Sequence, residues 1–475
     1  MRFNAVALAG VITTMAAPSM AFWRLPCRGV LGVARIDPIM DPGKPSVHVH
    51  SIHGGGNFDM DVTRDELLAS SCTSCAVVQD KSAYWTPSLY FVGPRGEAKL
   101  VNQVGGMLVY YLPRGDNVQA FPKGLRMIAG DTYQRNFTLP VPDPPKSIWT
   151  KSDKTQFALG QKALGFNCLN YNTSPEPSLL RHTFPSRILL DSQCKDGLRM
   201  ELVFPSCWNG KDLDSPDHRS HVAYPDLVDV GSCPEGFEKR IVTLMYETIW
   251  DTYAFKGKEG EFVISNGDPT GCGYHGDFIE AWEGDVLERA IQECKNLSGK
   301  IEDCPVFKLQ AEKDQKSCKF VTPFSLEDEA CDYAADGLPG KVPIMRGPGY
   351  AKIPIPDSSV DKANPSPPVT DPKLKVPQIN SPAPSQPTLT TKPQPIATPP
   401  PEAKDVVTNK AAENEKPYTT LYSTNGATVY EIAVVQKTST KTVDPTMPTS
   451  HAKRHEHAHR MKKGLLRHRH ARGHF

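Results

Sequence analysis

The placement of twelve cysteines constrains this chain more than any other feature of its sequence. All twelve lie between positions 27 and 331 of the 475-residue chain. An even number of cysteines is typical of a disulfide framework in an oxidising compartment, so we expect up to six bonds and a folded region that ends near residue 335. The cysteines expected to form bonds, in pairings that the sequence leaves open, are Cys27, Cys72, Cys75, Cys168, Cys194, Cys207, Cys233, Cys272, Cys294, Cys304, Cys318 and Cys331.

The amino terminus predicts export. Arg2 precedes an apolar run that ends in small residues, which is the pattern of a secretory signal peptide over residues 1–21. The run is shorter than the roughly 20 residues that a membrane span requires, and no other stretch is long and apolar enough for a transmembrane segment. Sequons predict glycosylation at Asn136, Asn172 and Asn296. We therefore expect a secreted protein, either extracellular or associated with a cell wall.

Residues 22–335 have the composition of one large, mainly β domain. The segment 240–250 places a row of β-favouring side chains on one face at period two. The segments 186–192, 197–205 and 261–267 are shorter β-prone runs bounded by Gly, Pro, Asn or Asp. We expect two packed sheets, in a β-sandwich or jelly-roll-like fold stabilised by disulfides, with a few peripheral helices.

Two short helices are predicted from their amino-terminal residues. Thr63 and Glu66 form a T-x-x-E capping box, and Asp285 and Glu288 have similar spacing before an amphipathic run that ends at Cys294. The position of Cys294 indicates that the second helix is bonded to the sheet.

The chain changes character beyond residue 335. Residues 341–401 hold 17 prolines, a composition that cannot bury a core, and we expect residues 336–450 to form a disordered Pro/Ser/Thr-rich stalk. Within it, the alternation around Asn425-Gly426 predicts a β-hairpin. Residues 451–475 form a His/Arg/Lys-rich basic tail with a local charge of +7, against +1 for the whole chain. The tail is expected to bind anionic surfaces, and the mildly acidic remainder indicates no nucleic-acid partner.

Three segments rich in histidine, glycine and aspartate supply the candidate site: residues 48–58, 206–226 and 267–278. Histidine and aspartate can serve as the acid and base of polysaccharide cleavage, and a glycine run lets a ligand approach the backbone closely. For each histidine taken alone, a structural role is favoured, but together the segments predict one shared groove. The residues predicted as catalytic are His50, His218, His221, His275, Asp217 and Asp277.

Two kinds of ligand fit these residue types. The H-x-H and D-H-x-x-H spacings suit zinc or copper but match no common zinc motif, so we expect no cofactor, with a divalent metal on His48, His50, His218 and His221 as the alternative. Nearby aromatic and amide side chains suit sugar rings. The residues expected to bind substrate are Trp208, Tyr224, Tyr274, Trp282 and Asn57.

Cysteine spacing and missing motifs narrow the function further. Cys207 and Cys233 bracket the middle segment, and we expect them to bond to each other or to near neighbours. Cys72 and Cys75 form a C-x-x-C that ends a short helix without a thioredoxin-like setting, which favours structural bonds. The chain has no G-x-S-x-G, P-loop or dinucleotide fingerprint, which argues against several common enzyme classes.

The blocks at 22–58, 204–226 and 264–282 together resemble the hallmark segments of a large fungal family of secreted proteins that share the domain of unknown function nineteen-ninety-six. The resemblance covers about residues 22–335. It implies a secreted, wall-associated or extracellular protein, and it assigns no activity and no catalytic residue. Members often have another residue where this chain has His53, which ranks His53 below His48 and His50.

The leading interpretation is a secreted protein that acts on or at extracellular or cell-wall polysaccharide, by cleavage of glycosidic bonds if it is an enzyme. The alternative is a non-catalytic glycan-binding or wall-associated structural or adhesion protein. Turnover of any polysaccharide would eliminate the alternative, and binding without turnover would favour it.

Overall fold

The computed structural model describes residues 22–352 and, further along the chain, the strands Thr419–Asn425 and Thr428–Val434. The signal peptide expected over residues 1–21, most of the expected stalk and the basic tail lie outside the described residues. The chain divides into two compact units, the first ending at Leu374 and the second containing the two later strands.

The first unit is built mainly from short strands, and its few helices are short as well. The predicted mainly β class with peripheral helices is thus confirmed. The strands are β1 (Trp23–Cys27), β2 (Gly32–Ala34), β3 (His50–Gly54), β4 (Ala83–Pro87), β5 (Leu89–Val92), β6 (Ala98–Leu100), β7 (Gln103–Leu112), β8 (Arg126–Gly130), β9 (Leu164–Cys168), β10 (Leu198–Val203), β11 (Cys207–Trp208), β12 (Val222–Ala223), β13 (Lys239–Arg240), β14 (Thr243–Trp250), β15 (Glu261–Ile264), β16 (His275–Ile279) and β17 (Tyr333–Ala334). The helices are α1 (Arg64–Leu68), α2 (Gln156–Lys162), α3 (Arg187–Gln193), α4 (Val286–Glu293) and α5 (Glu312–Ser317), with 3-10 turns at Lys146–Ile148, Ser152–Lys154, Thr252–Phe255, Ile301–Asp303, Phe324–Leu326 and Pro339–Lys341.

Two five-stranded antiparallel sheets form the body of the domain. The first sheet has the order β1-β7-β14-β10-β9, and the second has the order β2-β3-β4-β16-β8. They pack on one hydrophobic core, in which Tyr84 of the second sheet contacts Tyr246 of the first at 5.8 Å between ring centroids. At Gly276, a Cβ atom would lie 2.6 Å from the side chain of Leu202 in the first sheet, so any larger residue here would displace Leu202. The arrangement is a sandwich of two sheets.

The second sheet is buried on its other face too. Ile52, Trp85 and Ile279 on that face pack against Ile36, from the loop before β3, and Phe58, from the loop after it. We call this the covered face of the second sheet. It carries the candidate site described below.

Residues Thr243–Trp250 of the segment 240–250 form the central strand of the first sheet, as the β propensity of the segment predicts, and Arg240 belongs to β13. Leu244 and Tyr246 point into the core between the sheets, while Met245 packs on the opposite face against Trp149 and Leu159. Because α2 and its flanking loops cover that second face, both faces of β14 are buried rather than one.

Ten of the twelve cysteines form five disulfides: Cys27–Cys75, Cys72–Cys318, Cys168–Cys194, Cys207–Cys233 and Cys294–Cys304. The C-x-x-C cysteines therefore bond to two different partners and not to each other. Cys272 and Cys331 are free and buried, so the bonds expected at these two positions are absent. Cys331 packs in an apolar cluster with Tyr90 and Val263, where the thiol serves as a small hydrophobic side chain.

The segment 186–192 was expected to be a strand, and this expectation is wrong. Ser186 caps a helix instead, because its side chain accepts a hydrogen bond from Leu189 N–H. Arg187 and Asp191 add an ion pair one turn apart, while Ile188 is exposed. A short apolar run fits a helix or a strand, and here the cap decides.

The two predicted helices form, with differences in detail. Thr63 and Glu66 make the complete capping box of α1. At α4 the four residues that face the core are buried, but Asp285 makes no capping hydrogen bond. Cys294 ends α4 and bonds to Cys304, ten residues later, so the helix is bonded to its own loop and not to the sheet.

The folded body extends beyond residue 335. Leu338 and Val342 are buried in the cluster that contains Cys331, and Met345 N–H donates to the carbonyl of Gly267. The stalk predicted over residues 336–450 therefore starts too early, because at least residues 336–352 belong to the folded body. In the second unit, Thr419–Asn425 pairs antiparallel with Thr428–Val434, so the predicted hairpin forms, with Asn425 opposite Thr428.

The surface of the first unit agrees with the expected modifications. Asn136, Asn172 and Asn296 are exposed, so each sequon is accessible. In the described part of the chain, no helix is both long and apolar enough to cross a membrane.

Candidate functional site

The second sheet brings histidines from distant parts of the chain to one end. β3 and β16 both pair antiparallel with β4, so they run in the same direction and begin at the same end of the sheet. His50 is the first residue of β3 and His275 is the first residue of β16. Asp277 lies two residues further along β16, opposite Trp85 of β4, and so shares the covered face with His275.

His48, His50 and His275 form a compact cluster on the covered face. The ring centroid of His48 lies 4.3 Å from that of His50 and 5.1 Å from that of His275. The Nε2 atoms of His48 and His275 are 3.1 Å apart. Each of the three residues places a ring nitrogen within 4.8 Å of the others.

Backbone carbonyls orient two of these rings. The Nδ1–H of His50 donates to Ile36 O at 3.0 Å, and the Nδ1–H of His275 donates to Gly273 O at 2.9 Å. Because a carbonyl can only accept, both rings carry a proton on Nδ1 and a lone pair on Nε2 when they are neutral. The Nε2 of His50 is buried and has no hydrogen-bond partner among the described residues.

Two aspartates complete the cluster. Asp37, His50 and Asp277 each place one donor atom within 4.8 Å of the others. Asp37 Oδ1 accepts from the N–H groups of Ile39 and Met40, both at 3.1 Å. Both carboxylate oxygens of Asp277 are buried, and neither has a hydrogen-bond partner among the described residues. A buried carboxylate without a partner is costly, so this arrangement calls for an explanation.

Burial determines the protonation of the cluster. It lowers the pKa of His275 to about 4 and holds the pKa values of His48 and His50 well below their usual range. Burial also raises the pKa of Asp37 to about 6 and, with the nearby charge of Asp37, raises the pKa of Asp277 well above its usual range. At neutral pH the three rings are therefore neutral, and Asp277 resists ionisation.

Residues 213–221, which we call the edge loop, lie along β8 at the edge of the second sheet. Arg126 N–H donates to Leu213 O at 2.9 Å, and Ile128 N–H donates to His218 O at 3.0 Å. Ile128 is paired directly with Asp277 across the sheet, so the loop backbone lies near the cluster. The Cys207–Cys233 disulfide closes the ring of chain that contains this loop.

The predicted residues of the edge loop mostly bond within the loop and to β8. The Nδ1–H of His218 donates to Asp214 at 2.7 Å, and the Nε2–H of His221 donates to Arg126 O at 2.8 Å. Among the described residues, the groups with metal-ligand spacing contain neither histidine, and His275 takes their place beside His48 and His50.

Asp217 organises the turn of the edge loop. Its Oδ1 accepts from the hydroxyl of Ser215 and from the N–H groups of Arg219 and Ser220. Burial opposes ionisation, but these hydrogen bonds outweigh it and lower the pKa of Asp217 to about 2. Asp217 is therefore ionised at neutral pH and suits a structural role better than that of a general acid.

The cluster itself is enclosed and does not line an open groove. Its most exposed member, His48, retains only 6% of its accessible surface, and His50 and Asp277 retain none. The expectation of an open groove at these residues is therefore wrong. The covering segment that carries Ile36 and Asp37 closes the covered face from outside.

Most of the aromatic residues expected to bind sugar belong to the core. Tyr224, Tyr274 and Trp282 are buried, and their polar atoms bond to Val203 O, Thr248 and Tyr111 respectively, so a sugar cannot reach their rings. Trp208 is half-buried, and its indole N–H donates to Asp212 O within its own turn. Asn57 is not buried, and its side-chain amide donates to Glu66 O, which anchors α1.

The remaining histidines of the first unit lie apart from the cluster. His53 points to the opposite face of the second sheet and bonds to Gly29 O and Gln103. His182 stacks on Phe137, and its Nδ1–H donates to Leu164 O.

An exposed aromatic patch adjoins the edge loop, and sequence reasoning did not find it. Tyr133 and Tyr350 are 40% and 49% exposed, and Ala351 N–H donates to Tyr133 O at 2.9 Å. Burial and the nearby charge of Asp41 raise the pKa of Tyr133, while Arg219 opposes this rise. Because Arg219 also donates to Gly130 O beside His275, it connects the patch to the cluster. We call Tyr133, Tyr350, Arg219 and Asp41 the tyrosine patch.

Asp37 is the other residue that sequence reasoning missed. It lies in an Ile-Asp-Pro-Ile stretch, which has the composition of an ordinary turn and contains no histidine. The weak signal is that this turn belongs to the same amino-terminal block as His48 and His50.

A family model described as a domain of unknown function, DUF1996, matches residues 37–282. This match covers just over half of the chain and contains all five residues of the cluster: Asp37, His48, His50, His275 and Asp277. No curated protein and no solved structure matches the chain.

Proposed function

Because this chain belongs to the DUF1996 family, whose shared domain has no assigned function, we propose a function from the site: a secreted protein that binds extracellular or cell-wall polysaccharide through the tyrosine patch. The fungal wall is the setting that the sequence resemblance suggests. Binding without cleavage is the form of this function that the geometry supports best.

Export is supported by the covalent framework of the domain. Five disulfides distributed from Cys27 to Cys318 require an oxidising compartment to form and persist. The leader over residues 1–21 and the three exposed sequons are consistent with the same route.

The observation that carries the sugar-binding proposal is the exposure of Tyr133 and Tyr350 beside charged groups. Tyrosine offers an apolar ring face and a hydroxyl at little conformational cost, a combination that suits sugar rings. Arg219 lies near Tyr133 and can donate a hydrogen bond to sugar hydroxyls through its Nη2 group, whereas the Asp41 carboxylate already accepts from Val47 N–H and pairs with Lys44.

Burial of the acids favours binding over cleavage. Glycosidic cleavage needs two carboxyl groups that flank the scissile bond, and Asp37 and Asp277 retain 2% and 0% of their surface. Asp217 already accepts hydrogen bonds from three groups of its own turn, which leaves it less suited to act on a substrate. Cleavage is the second candidate function, and one observation favours it: the raised pKa of Asp277 would keep a general acid protonated if the segment that carries Ile36 and Asp37 moved aside.

The test measures binding and turnover with one polysaccharide panel. Tyr133→Ala and Tyr350→Ala should each weaken retention on insoluble wall polysaccharide several-fold, because each removes an aromatic contact surface worth about 1 kcal/mol. Tyr171→Ala is the matched control, since Tyr171 is 75% exposed and lies outside the patch.

Three outcomes are decisive for the proposed function. Equal loss in all three variants, or no binding to any polysaccharide, would contradict the tyrosine patch. New reducing ends or unsaturated products that disappear in Asp277→Asn would replace binding with cleavage. Retention that falls only in the two patch variants supports the proposal.

The basic tail over residues 451–475 lies outside the described residues, and its role is a separate proposal. Its seven histidines have an unperturbed pKa near 6.5, so acidification should increase its positive charge and its grip on anionic wall polymers. Retention on an anionic matrix at pH 5.5 and low salt should fall when the chain is truncated before His451. Equal retention of both forms would contradict this role.

A further inference from the structure

Two of the three clustered histidines have the orientation that metal-binding histidines usually show. A ligating imidazole commonly donates its other N–H to a backbone carbonyl or a carboxylate, which fixes the tautomer and the direction of the lone pair. His50 and His275 do this through Ile36 O and Gly273 O. Their Nε2 lone pairs are therefore available inside the cluster.

The spacing within the cluster matches that of ligands around one ion. Two ligands at about 2.0 Å from a tetrahedral zinc ion lie about 3.3 Å apart. The Nε2 atoms of His48 and His275 are 3.1 Å apart, and His50 contributes a third ring nitrogen within 4.8 Å. His48 can donate a proton to His275 across this gap, but such a hydrogen bond leaves the Nε2 of His50 without a partner.

Asp277 supplies the second, independent observation. Its carboxylate is fully buried, both oxygens lack partners among the described residues, and no ion pair of these residues involves it. A buried carboxyl group that has neither a hydrogen-bond partner nor a counter-charge is unfavourable, whether it is ionised or not. A cation held by the neighbouring rings would satisfy the Asp277 carboxylate and the orphaned His50 nitrogen together.

We propose that His48, His50 and His275 bind one divalent first-row transition metal through their ring nitrogens, with the buried carboxyl group of Asp277, which lies beside His50, as the counter-charge. Asp277 has this role rather than Asp37 because Asp37 Oδ1 already accepts from two backbone N–H groups. His50 belongs to both groups of ligand-spaced residues and is therefore the centre of the site.

The donor set narrows the metal. Three imidazole ligands beside one carboxyl group suit zinc, copper, iron or nickel, and they do not suit calcium or magnesium, which prefer oxygen. The three histidines and Asp277 are all buried, so the ion is enclosed and joins β3, β16 and the segment before β3. Metal binding at this enclosed site is independent of polysaccharide binding at the tyrosine patch.

Zinc content of the full-length chain tests the site. The tail histidines also bind metal, but every full-length variant carries them, so the difference between variants isolates the buried site. After loading with zinc and dialysis, His275→Gln and Asp277→Asn should each hold one equivalent less zinc per chain than the wild type. His182→Gln is the matched control, because His182 is also buried and its Nδ1–H also donates to a carbonyl.

Two measurements on the wild-type chain keep the test decisive if a variant folds poorly. Cobalt substitution should give the strong visible absorption of a four-coordinate ion, which weak sites in the tail do not produce. Chelation should lower the melting temperature of the wild type and of His182→Gln, and zinc should restore it.

The outcomes separate this inference from the proposed function. Equal zinc content in wild type and all three variants, with no four-coordinate cobalt spectrum, would overturn the metal site and leave polysaccharide binding untouched. Loss of one equivalent in the cluster variants alone, with retained polysaccharide binding by the wild type, supports both. Loss of the equivalent in a chain that binds no polysaccharide supports the metal site and contradicts the proposed function.

Discussion

Removal of the Cys207–Cys233 disulfide should destabilise the domain by a magnitude that its loop length sets. The two cysteines are separated by 26 positions and enclose the edge loop. In the chain-entropy treatment, a closed loop of this length removes about 12 cal/mol/K from the unfolded chain, which is about 3.5 kcal/mol at 25 °C. We expect the double variant Cys207→Ala, Cys233→Ala to lose this much stability plus the contribution of one buried sulfur.

The buried-sulfur contribution can be measured separately in the same protein. Cys207 is fully buried, and the free cysteine Cys272 is nearly so, but Cys272 crosslinks nothing. Cys272→Ala should therefore cost only about 1 kcal/mol, the loss of packing for one small side chain. The difference between the two variants isolates the effect of the crosslink.

Urea unfolding followed by tryptophan fluorescence supplies both free energies. Hydrogen bonds from Arg126 and Ile128 to the edge loop do not involve the disulfide, so the folded state should keep its shape. A loss no larger than that of Cys272→Ala would refute the reasoning, because the crosslink would then not restrict the unfolded chain.

Three further predictions concern single residues. Burial lowers the pKa of His53 to about 4. Below pH 6.5 the unfolded chain therefore binds a proton at this histidine that the folded chain does not bind. The contribution of His53 to stability is complete above pH 6.5 and is lost as the pH falls towards 4. Between pH 7.5 and pH 5 this loss is about 2 kcal/mol for His53, and urea titrations should show a correspondingly smaller loss in His53→Gln. Thr63→Ala removes the capping box of α1 and should cost about 1 kcal/mol in the same assay, whereas no change would show that the cap is dispensable. Gly276→Ala places a Cβ 2.6 Å from Leu202 and should lower the free energy of unfolding by about 1–3 kcal/mol. In the double variant with Leu202→Ala, the total loss should be smaller than the sum of the two single losses, because the second change removes the clash.

The sequence predicted the sheets better than it predicted the site. Alternation along 240–250 and the capping box at Thr63 are local signals, and local interactions decide them in the structure as well. The prediction of a strand over 186–192 was wrong because a short apolar run fits a helix or a strand, and the hydrogen bond that Ser186 accepts decides for the helix. The predicted end of the folded region near residue 335 was wrong because Leu338 and Val342 are buried against strands that are distant in sequence.

Sequence spacing alone could not predict which histidines contact one another. His50, His275 and Asp277 were predicted to share one site, and His48 was grouped with His50 from their shared face. The contact between His48 and His275 depends on the order β3-β4-β16, which brings both residues to the same end of the sheet. His218 and His221 carried a more conspicuous motif and bond mostly within their own loop and to β8. Asp37 gave almost no signal, because its role depends on which strand its turn covers.

The Cys72–Cys318 bond has a consequence for survival in a medium that contains proteases. It joins positions separated by 246 residues, so a single cut at any exposed loop between them leaves both fragments covalently attached. The β strands on either side of such a cut stay paired in their sheets, and the fragments have no means of diffusing apart. A nicked molecule would migrate as one band on a non-reducing gel and as two after reduction, and it would keep the cluster and the tyrosine patch in place.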